Sequence, residues 1–325
     1  MHYCRLARHS PSGNNLRVKS TRDLLSQIPS GGCMNQKVTV IGAGRMGSAL
    51  AAALYKRGLD TTVWNRTSSK TESLSRLGLR VAPSVLEAVG NAEIVIVNIN
   101  NYESTHQLVR QPAIESALRG KVLVQLSSGS PDEAREMESW ARPLGIDYLD
   151  GAITNYPVDI GKPEGTVLYS GPDELFNRVK PVLLAFGDNA IFVGKEIGQA
   201  SATDVAGLSF AMGAMLGFLH GYIVYEAENL PVDGYLQVVK KFMPAVEAGL
   251  ADLCKKIQGK DYGSTHAALE TWAVAPRELI GWCEKHRVNH TFADPQLQLI
   301  ERAVKAGKGQ WDFAYLYEVL KQGAE

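Results

Sequence analysis

The sequence predicts an α/β chain: an N-terminal domain built on a doubly wound parallel sheet, a long helix between domains, and an all-α C-terminal domain. Three observations predict it. A short buried strand, a glycine-rich turn, an Ala/Leu-rich helix and a second strand follow one another in Lys37 to Lys70. Short apolar runs then alternate with helical stretches as far as Val193. From Gln199 the chain carries about 30 residues with no Pro and no turn cluster, then helical sequence to its end.

The first strand is carried by Val38, Val40 and Ile41. Gly42-Ala43-Gly44-Arg45-Met46-Gly47 follows at once, and a second strand runs from Thr61 to Trp64. Strand, G-x-G-x-x-G, helix, strand is the order of a Rossmann dinucleotide site. Gly42 allows the tight turn, Gly44 a close approach to a pyrophosphate, and Gly47 close packing of helix on strand. Arg45 and Met46 sit inside the fingerprint, where the helix N-terminus offers unpaired N–H groups to phosphate. An NAD site carries Asp or Glu at the end of the second strand, for the ribose hydroxyls. Here that place reads Trp64-Asn65-Arg66-Thr67, with Lys70 behind and no carboxylate. Arg66 can fork onto a 2′-phosphate and Lys70 can add a point charge, which predicts NADPH.

Further strands are expected at Glu93 to Ile99, Lys121 to Leu126, Ile146 to Leu149, Thr166 to Tyr169 and Ala190 to Val193. Ligands of an open α/β sheet lie beyond the carboxyl ends of its strands. Asn98 to Tyr102 and Ser127 to Pro131 are therefore candidates to flank a nicotinamide, with Asn98 and Ser127 on the cofactor and Tyr102 in the substrate pocket. Ser130 reads as a helix cap, with Asp132 and Glu133 in the first turn.

Residues 199–229 read as one helix, about 45 Å long at 1.5 Å per residue. Val205 to Tyr225 contains no Asp, Glu, Lys or Arg, so a membrane span is weighed. Ser209 and His220 interrupt it and no Lys or Arg flanks it as an anchor, so no membrane is expected. An all-round apolar helix wants burial on every side, which a second subunit would supply. The rest reads as helices over 234–257, 264–285, 295–306 and 311–322. Domain bounds are placed at 1–36 for an N-terminal extension, 37–197 for the nucleotide domain and 198–325 for the helical domain.

Lys plus Arg and Asp plus Glu number 34 each, so nothing in the overall charge speaks for nucleic acid. Cys4, Cys33, Cys254 and Cys283 form no C-x-x-C, and the seven histidines no ligand cluster, so no metal is expected. A reducing compartment, the cytoplasm, fits. Residues 1–36 set Arg5, Arg8, Arg17, Lys19 and Arg22 against Asp23 alone. That composition is compatible with an organelle transit peptide, but a disordered tail, or a start upstream of a natural Met34, is the expectation, because the fold signal begins three residues after Met34.

Asp204 is the one ionisable group near the start of the apolar helix. A carboxyl there is costly unless paired, solvated or used. It serves either as a helix-start acid or as a cleft group able to hold a cationic substrate or move a proton.

The chain resembles the imine reductases and reductive aminases within the β-hydroxyacid dehydrogenase superfamily. The resemblance rests on VIGAGRMGSALA (40–51), VWNRTSSK (63–70), LSSGSPDEAR (126–135), YLDGAITNYP (148–157), IGKPEGTVLYSG (160–171) and GQASATDVAGLS (198–209). It covers about Met34 to Leu320. It implies reduction of an imine or iminium by hydride from NADPH, and NADPH on Gly42, Gly44, Gly47, Asn65, Arg66, Thr67 and Lys70. It makes Asp204 the active-site acid, where hydroxyacid enzymes carry a lysine. It also implies a domain-swapped homodimer. Met212 stands where many reductive aminases have Tyr, eight residues after the acid, and Thr154-Asn155 replaces a small apolar pair. Asn155, Met212 and Trp272 are the remaining pocket candidates, with plain core packing as the other reading of the apolar Met212 and Trp272. A β-hydroxyacid dehydrogenase and a non-catalytic NADP(H)-binding protein remain the rival classes.

Overall fold

The computed structural model describes residues 36–322. The expectation for the N-terminal extension therefore lies almost wholly outside the described residues. The chain divides into two compact units, one ending at Gly207 and one beginning at Leu208.

The first unit is built on an eight-stranded sheet. Its strands are β1 (Lys37–Ile41), β2 (Asp60–Trp64), β3 (Arg80–Val81), β4 (Ile94–Val97), β5 (Val122–Gln125), β6 (Asp147–Ile153), β7 (Thr166–Ser170) and β8 (Asn189–Gly194). They lie in the order β3-β2-β1-β4-β5-β6-β7-β8. The first six are parallel, β7 runs antiparallel to β6, and β8 pairs parallel with β7. Both faces of the central strands are covered, which is why they read as continuous apolar runs. Their side chains still alternate. Val38, Val40, Ile94 and Ile96 enter one core with Leu50, Leu54 and Phe176. Ile41, Val95 and Val97 enter the opposite core with Leu123 and Met137. The covering helices are α1 (Arg45–Lys56), α2 (Glu72–Arg76), α3 (Val85–Gly90), α4 (Tyr102–Val109), α5 (Pro112–Leu118), α6 (Pro131–Ala141) and α7 (Asp173–Leu183). Ser130 caps α6 in a complete capping box: its Oγ accepts from Glu133 N, and Glu133 Oε2 accepts from Ser130 N at 2.7 Å.

The long helix α8 spans Gln199–Ala227, 29 residues. It is long and apolar enough to cross a membrane by length and composition. Among the described residues several of its apolar side chains stay uncovered: Phe210, Met212 and Leu219 are each about half exposed, at 55%, 51% and 59%.

The second unit continues through α9 (Val232–Gly259), α10 (Leu269–Trp272), α11 (Val274–His286), α12 (Asp294–Ala303) and α13 (Leu316–Lys321). The single helix expected over 264–285 is two helices preceded by a loop. Side chains compete with helix there: Asp261 accepts from Ser264 N, and Thr265 Oγ1 both donates to Ala267 O and accepts from Ala267 N. Near the chain end, Gly307 at φ +75° breaks the helical run, and Asp312 caps a short 3₁₀ turn before α13.

Lys256 Nζ donates to Asp312 Oδ2 at 2.7 Å and lies 2.9 Å from Asp252 Oδ2. Lys256 and Asp312 are both buried, so removing the cation strands a carboxylate in the interior. Lys256→Ala is expected to destabilise this unit by about 3 kcal/mol. Guanidinium unfolding followed by helical circular dichroism would read this as a lower midpoint with an unchanged m-value.

Candidate active site

The glycine turn follows directly from β1. Gly42 has φ +114°, and a Cβ there would sit 2.0 Å from the carbonyl oxygen of Asn98. A Cβ on Gly47 would meet Gly42 O at 2.1 Å. Only glycine therefore lets the turn lie against the end of β4 while α1 packs on it. Gly44 differs, because a Cβ on it would meet nothing within 4 Å. It faces the open cleft, leaving the backbone bare for a ligand.

Asn65 ties the end of β2 to this turn. Its Oδ1 accepts from Ala43 N at 2.9 Å and its Nδ2 donates to Thr67 O at 2.9 Å. Asn65 thus shapes the loop with both ends of its amide. Gly42, Gly44, Arg45, Met46, Asn65, Arg66, Thr67, Lys70 and Asn98 all line one cleft of about 390 Å³. Gly47 lies buried behind the turn.

The electrostatics of the cleft favour an anion. No acidic residue occupies the first turn of α1, and Gly44 gives no side-chain cap. The first N–H groups of the helix are left for another acceptor. Arg45 sits at the positive end of the helix dipole, the unfavourable end for a cation unless an anion lies nearby. Arg66 and Lys70 are exposed, and among the described residues none of the three forms an ion pair. A bare glycine backbone, a free helix start and three unpaired cations fit a dinucleotide carrying an extra phosphate.

Ser104, Gln107 and Leu108 of α4 also line the cleft and were missed by sequence reasoning. Their i, i+3, i+4 spacing after the Asn101 cap was the available signal. Ser127 is buried behind the cleft wall, where its Oγ accepts from Ile99 N at 3.0 Å. Asn98 Nδ2 donates to Leu126 O at 2.6 Å, so these two side chains join the ends of β4 and β5.

Tyr102, expected in a pocket wall, is 1% exposed. Its phenol donates to Asp150 Oδ1 at 3.0 Å, and Tyr148 OH reaches it at 3.4 Å. Burial, and then the Asp150 carboxyl, push the Tyr102 phenol far above its ordinary range, so it stays a donor. Asp150 itself is fully buried in the middle of β6, opposite Ser170 of β7. Its Oδ2 accepts from Ser170 Oγ at 3.1 Å and from Ser201 N at 3.2 Å, and its Oδ1 also accepts from Ser201 Oγ at 2.8 Å. Ser201 lies in the first turn of α8, and Asp204 follows one turn later.

Asp204 is half-buried and pairs with no cation among the described residues. Burial, then the charge of Asp150, raise its carboxyl above the usual range. A carboxyl so placed can hold a proton nearer neutrality than a surface acid. Asn155 is turned to the fold: its Oδ1 accepts from Thr166 N at 2.6 Å. Met212 and Trp272 belong to the second unit, where both are about half exposed and Trp272 packs 5.1 Å from the Phe313 ring.

Residues 37–194 match the family described as the NAD binding domain of 6-phosphogluconate dehydrogenase. Residues 196–322 match the family described as the NADPH-dependent reductive aminase-like C-terminal domain. An imine reductase from Myxococcus stipitatus, solved with NADP+, superposes with a TM-score of 0.83 at 43% identity, covering 88% of this chain and all of that one. An NADPH-dependent reductive aminase of Aspergillus oryzae is 31% identical over 89% of this chain and 99% of its own length. A 2-hydroxy-3-oxopropionate reductase of Escherichia coli is 29% identical over 49% of this chain and 54% of its own length. With fold, cleft and both segments in agreement, the chain belongs to the imine reductase and reductive aminase family and is an NADPH-dependent oxidoreductase.

Proposed function

We propose that this chain reduces the C=N bond of an imine or iminium to an amine, with Asp204 as the acid of the site. The observation that carries this is Asp204 itself: a half-buried carboxyl with no cationic partner among the described residues, on a helix with no other acid before Glu226. A protonated imine is already electrophilic, so its site needs a negative or proton-holding group rather than a cation that polarises a carbonyl. A hydroxyacid enzyme would want a lysine for proton transfer, and 198–209 contains none.

NADPH supplies the hydride when bound. The backbone at Gly42, Gly44, Arg45 and Met46 would hold its pyrophosphate, and Arg66, Thr67 and Lys70 its 2′-phosphate. Asn65 keeps the loop that presents them in place, Gly47 lets the helix approach, and Asn98 and Ser127 hold the strand ends beyond which the nicotinamide would lie. Asp204 favours the cationic substrate or supplies its proton at nitrogen. Residues 37–197 act as the cofactor part and 198–325 as the part for substrate and assembly. Met212 and Trp272 would add apolar walls there. The assembly is a homodimer, because the exposed apolar side chains of α8 form a patch too large for a lone chain in water. The free thiols of Cys254 and Cys283 suit a reducing compartment such as the cytoplasm.

Asp204→Ala is expected to lower kcat for imine reduction roughly 10²–10⁴-fold while NADPH affinity stays unchanged. Steady-state kinetics on cyclic imines, with cofactor titration by fluorescence, decides this. A wild-type protein that oxidises 3-hydroxyacids with NADP+ and reduces no imine would defeat the assignment. Arg66→Ala should raise the NADPH Michaelis constant and leave that for NADH nearly unchanged; equal losses would show that Arg66 does not read the 2′-phosphate. Light scattering should give twice the chain mass at micromolar concentration, and a folded monomer there would rule out the dimer.

A further inference from the structure

Asp150 is a carboxylate in the middle of a strand, fully buried, with no cation bonded to it among the described residues. A buried charge of this kind costs several kcal/mol unless it is compensated, so its place in the fold needs a reason. The compensation is visible. Four donors converge on it: Tyr102 OH, Ser170 Oγ, and the Oγ and backbone N of Ser201. That fills the two oxygens with two bonds each, the pattern of an acceptor-only carboxylate. Ser170 Oγ in turn accepts from Ala200 N at 2.9 Å. Two of the first N–H groups of α8 are thereby satisfied by this cluster, at the end of the helix where negative charge is favoured.

The consequence falls on Asp204. Ser201 and Asp204 are three residues apart on one helix, so they share a face one turn apart. We propose that Asp150 is a positioning residue for the reaction: through its bonds to Ser201 it fixes the helix turn that carries Asp204, and it brings a second carboxyl to that turn. This rests on the reading of Asp204 as the acid of the site and extends it to a residue that touches no substrate.

The groups around the pair leave Asp150 as the charge that matters. From β6 it is joined by Tyr148 and from α4 by Tyr102, whose phenols are both raised far enough by burial to stay neutral. From β7 and α8 the facing groups are the hydroxyls of Ser170 and Ser201. Burial is the larger cause that raises the Asp204 carboxyl, and a negative neighbour adds to it by disfavouring the charged form. Removing the charge makes Asp204 easier to ionise, so the limb it produces in a pH profile moves to lower pH. That direction holds whether the protonated or the ionised form is the active one.

The test uses the full-length protein and Asp150→Asn. The variant keeps volume and can place its oxygen toward Ser201 N and Ser170 Oγ, with its NH₂ toward the hydroxyls of Tyr102 and Ser201, which can turn to accept. The Asp204 carboxyl is titrated by infrared difference spectroscopy without substrate, its band assigned by subtraction of Asp204→Ala. The kcat/KM profile with a cyclic imine is recorded beside it. Band and limb are expected to move together to lower pH. An unmoved band in a folded D150N protein that binds NADPH overturns the proposal, whatever the substrate. A band that moves in an enzyme that reduces no imine defeats the functional reading and leaves the positioning role standing. Ser201→Ala should lower kcat about tenfold with unchanged NADPH affinity, and Ser201→Thr, which keeps the hydroxyl, should restore it. If D150N does not fold, the serine pair decides, and an unchanged kcat in S201A overturns the proposal.

Discussion

The cofactor half of this molecule depends on two missing methyl groups. At Gly42 and Gly47 the chain folds so tightly that any Cβ would lie about 2 Å from a backbone carbonyl. The contact partner at Gly42 is Asn98, at the end of the neighbouring strand β4. Turn, helix start and strand end are thus held at van der Waals distance by backbone alone. Everything that would touch a nucleotide hangs on that closeness: the free N–H groups of α1, the Asn65 bridge and the cations that face the cleft.

Polar bonds then carry that order across the sheet. Asn98 and Ser127 join the ends of β4 and β5, and Asp150 and Ser170 join β6 and β7 to the first turn of α8. The sheet therefore delivers its functional edge as a row of side-chain ties: Asn98 and Ser127 link β4 to β5 just past their ladder, and Asp150 and Ser170 add a bond where β6 and β7 are already paired. Tyr102 belongs to this row. Its phenol is spent on Asp150, so it acts from inside the fold and not from a pocket wall.

Much of this was legible in the sequence. The glycine fingerprint and the carboxylate-free end of β2 are local patterns, and Gly42 to Lys70 could be read directly because spacing alone sets their geometry. Strand positions followed from apolar runs, apart from β3, whose two residues are too few to show a period. Helix bounds failed where side chains compete with the backbone, as at Asp261 to Ala267. The Asp150 cluster was not legible. Its partners lie 48, 20 and 51 residues away along the chain, and no spacing rule relates them. Asn155 and Ser127 carried polar side chains at plausible places, and each also gives the fold one acceptor, Asn155 Oδ1 to Thr166 N and Ser127 Oγ to Ile99 N. Sequence shows which groups are polar; only packing shows which have acceptors and donors left over.

The unpaired cations at the cleft have a consequence for the folded state itself. Arg45, Arg66 and Lys70 gather positive charge in one place on a chain whose formal net charge is zero. Without an anion they repel one another and oppose the dipole of α1, and with one that repulsion becomes attraction. A phosphate-rich ligand thus binds the native state and not the unfolded chain, and mass action turns its concentration into stability at RT ln(1 + [L]/Kd). The coupling weakens with ionic strength, because exposed charges are screened over about 8–10 Å in physiological salt. A nucleotide bound at this cleft is therefore expected to raise the protein's resistance to heat and proteolysis as its concentration rises.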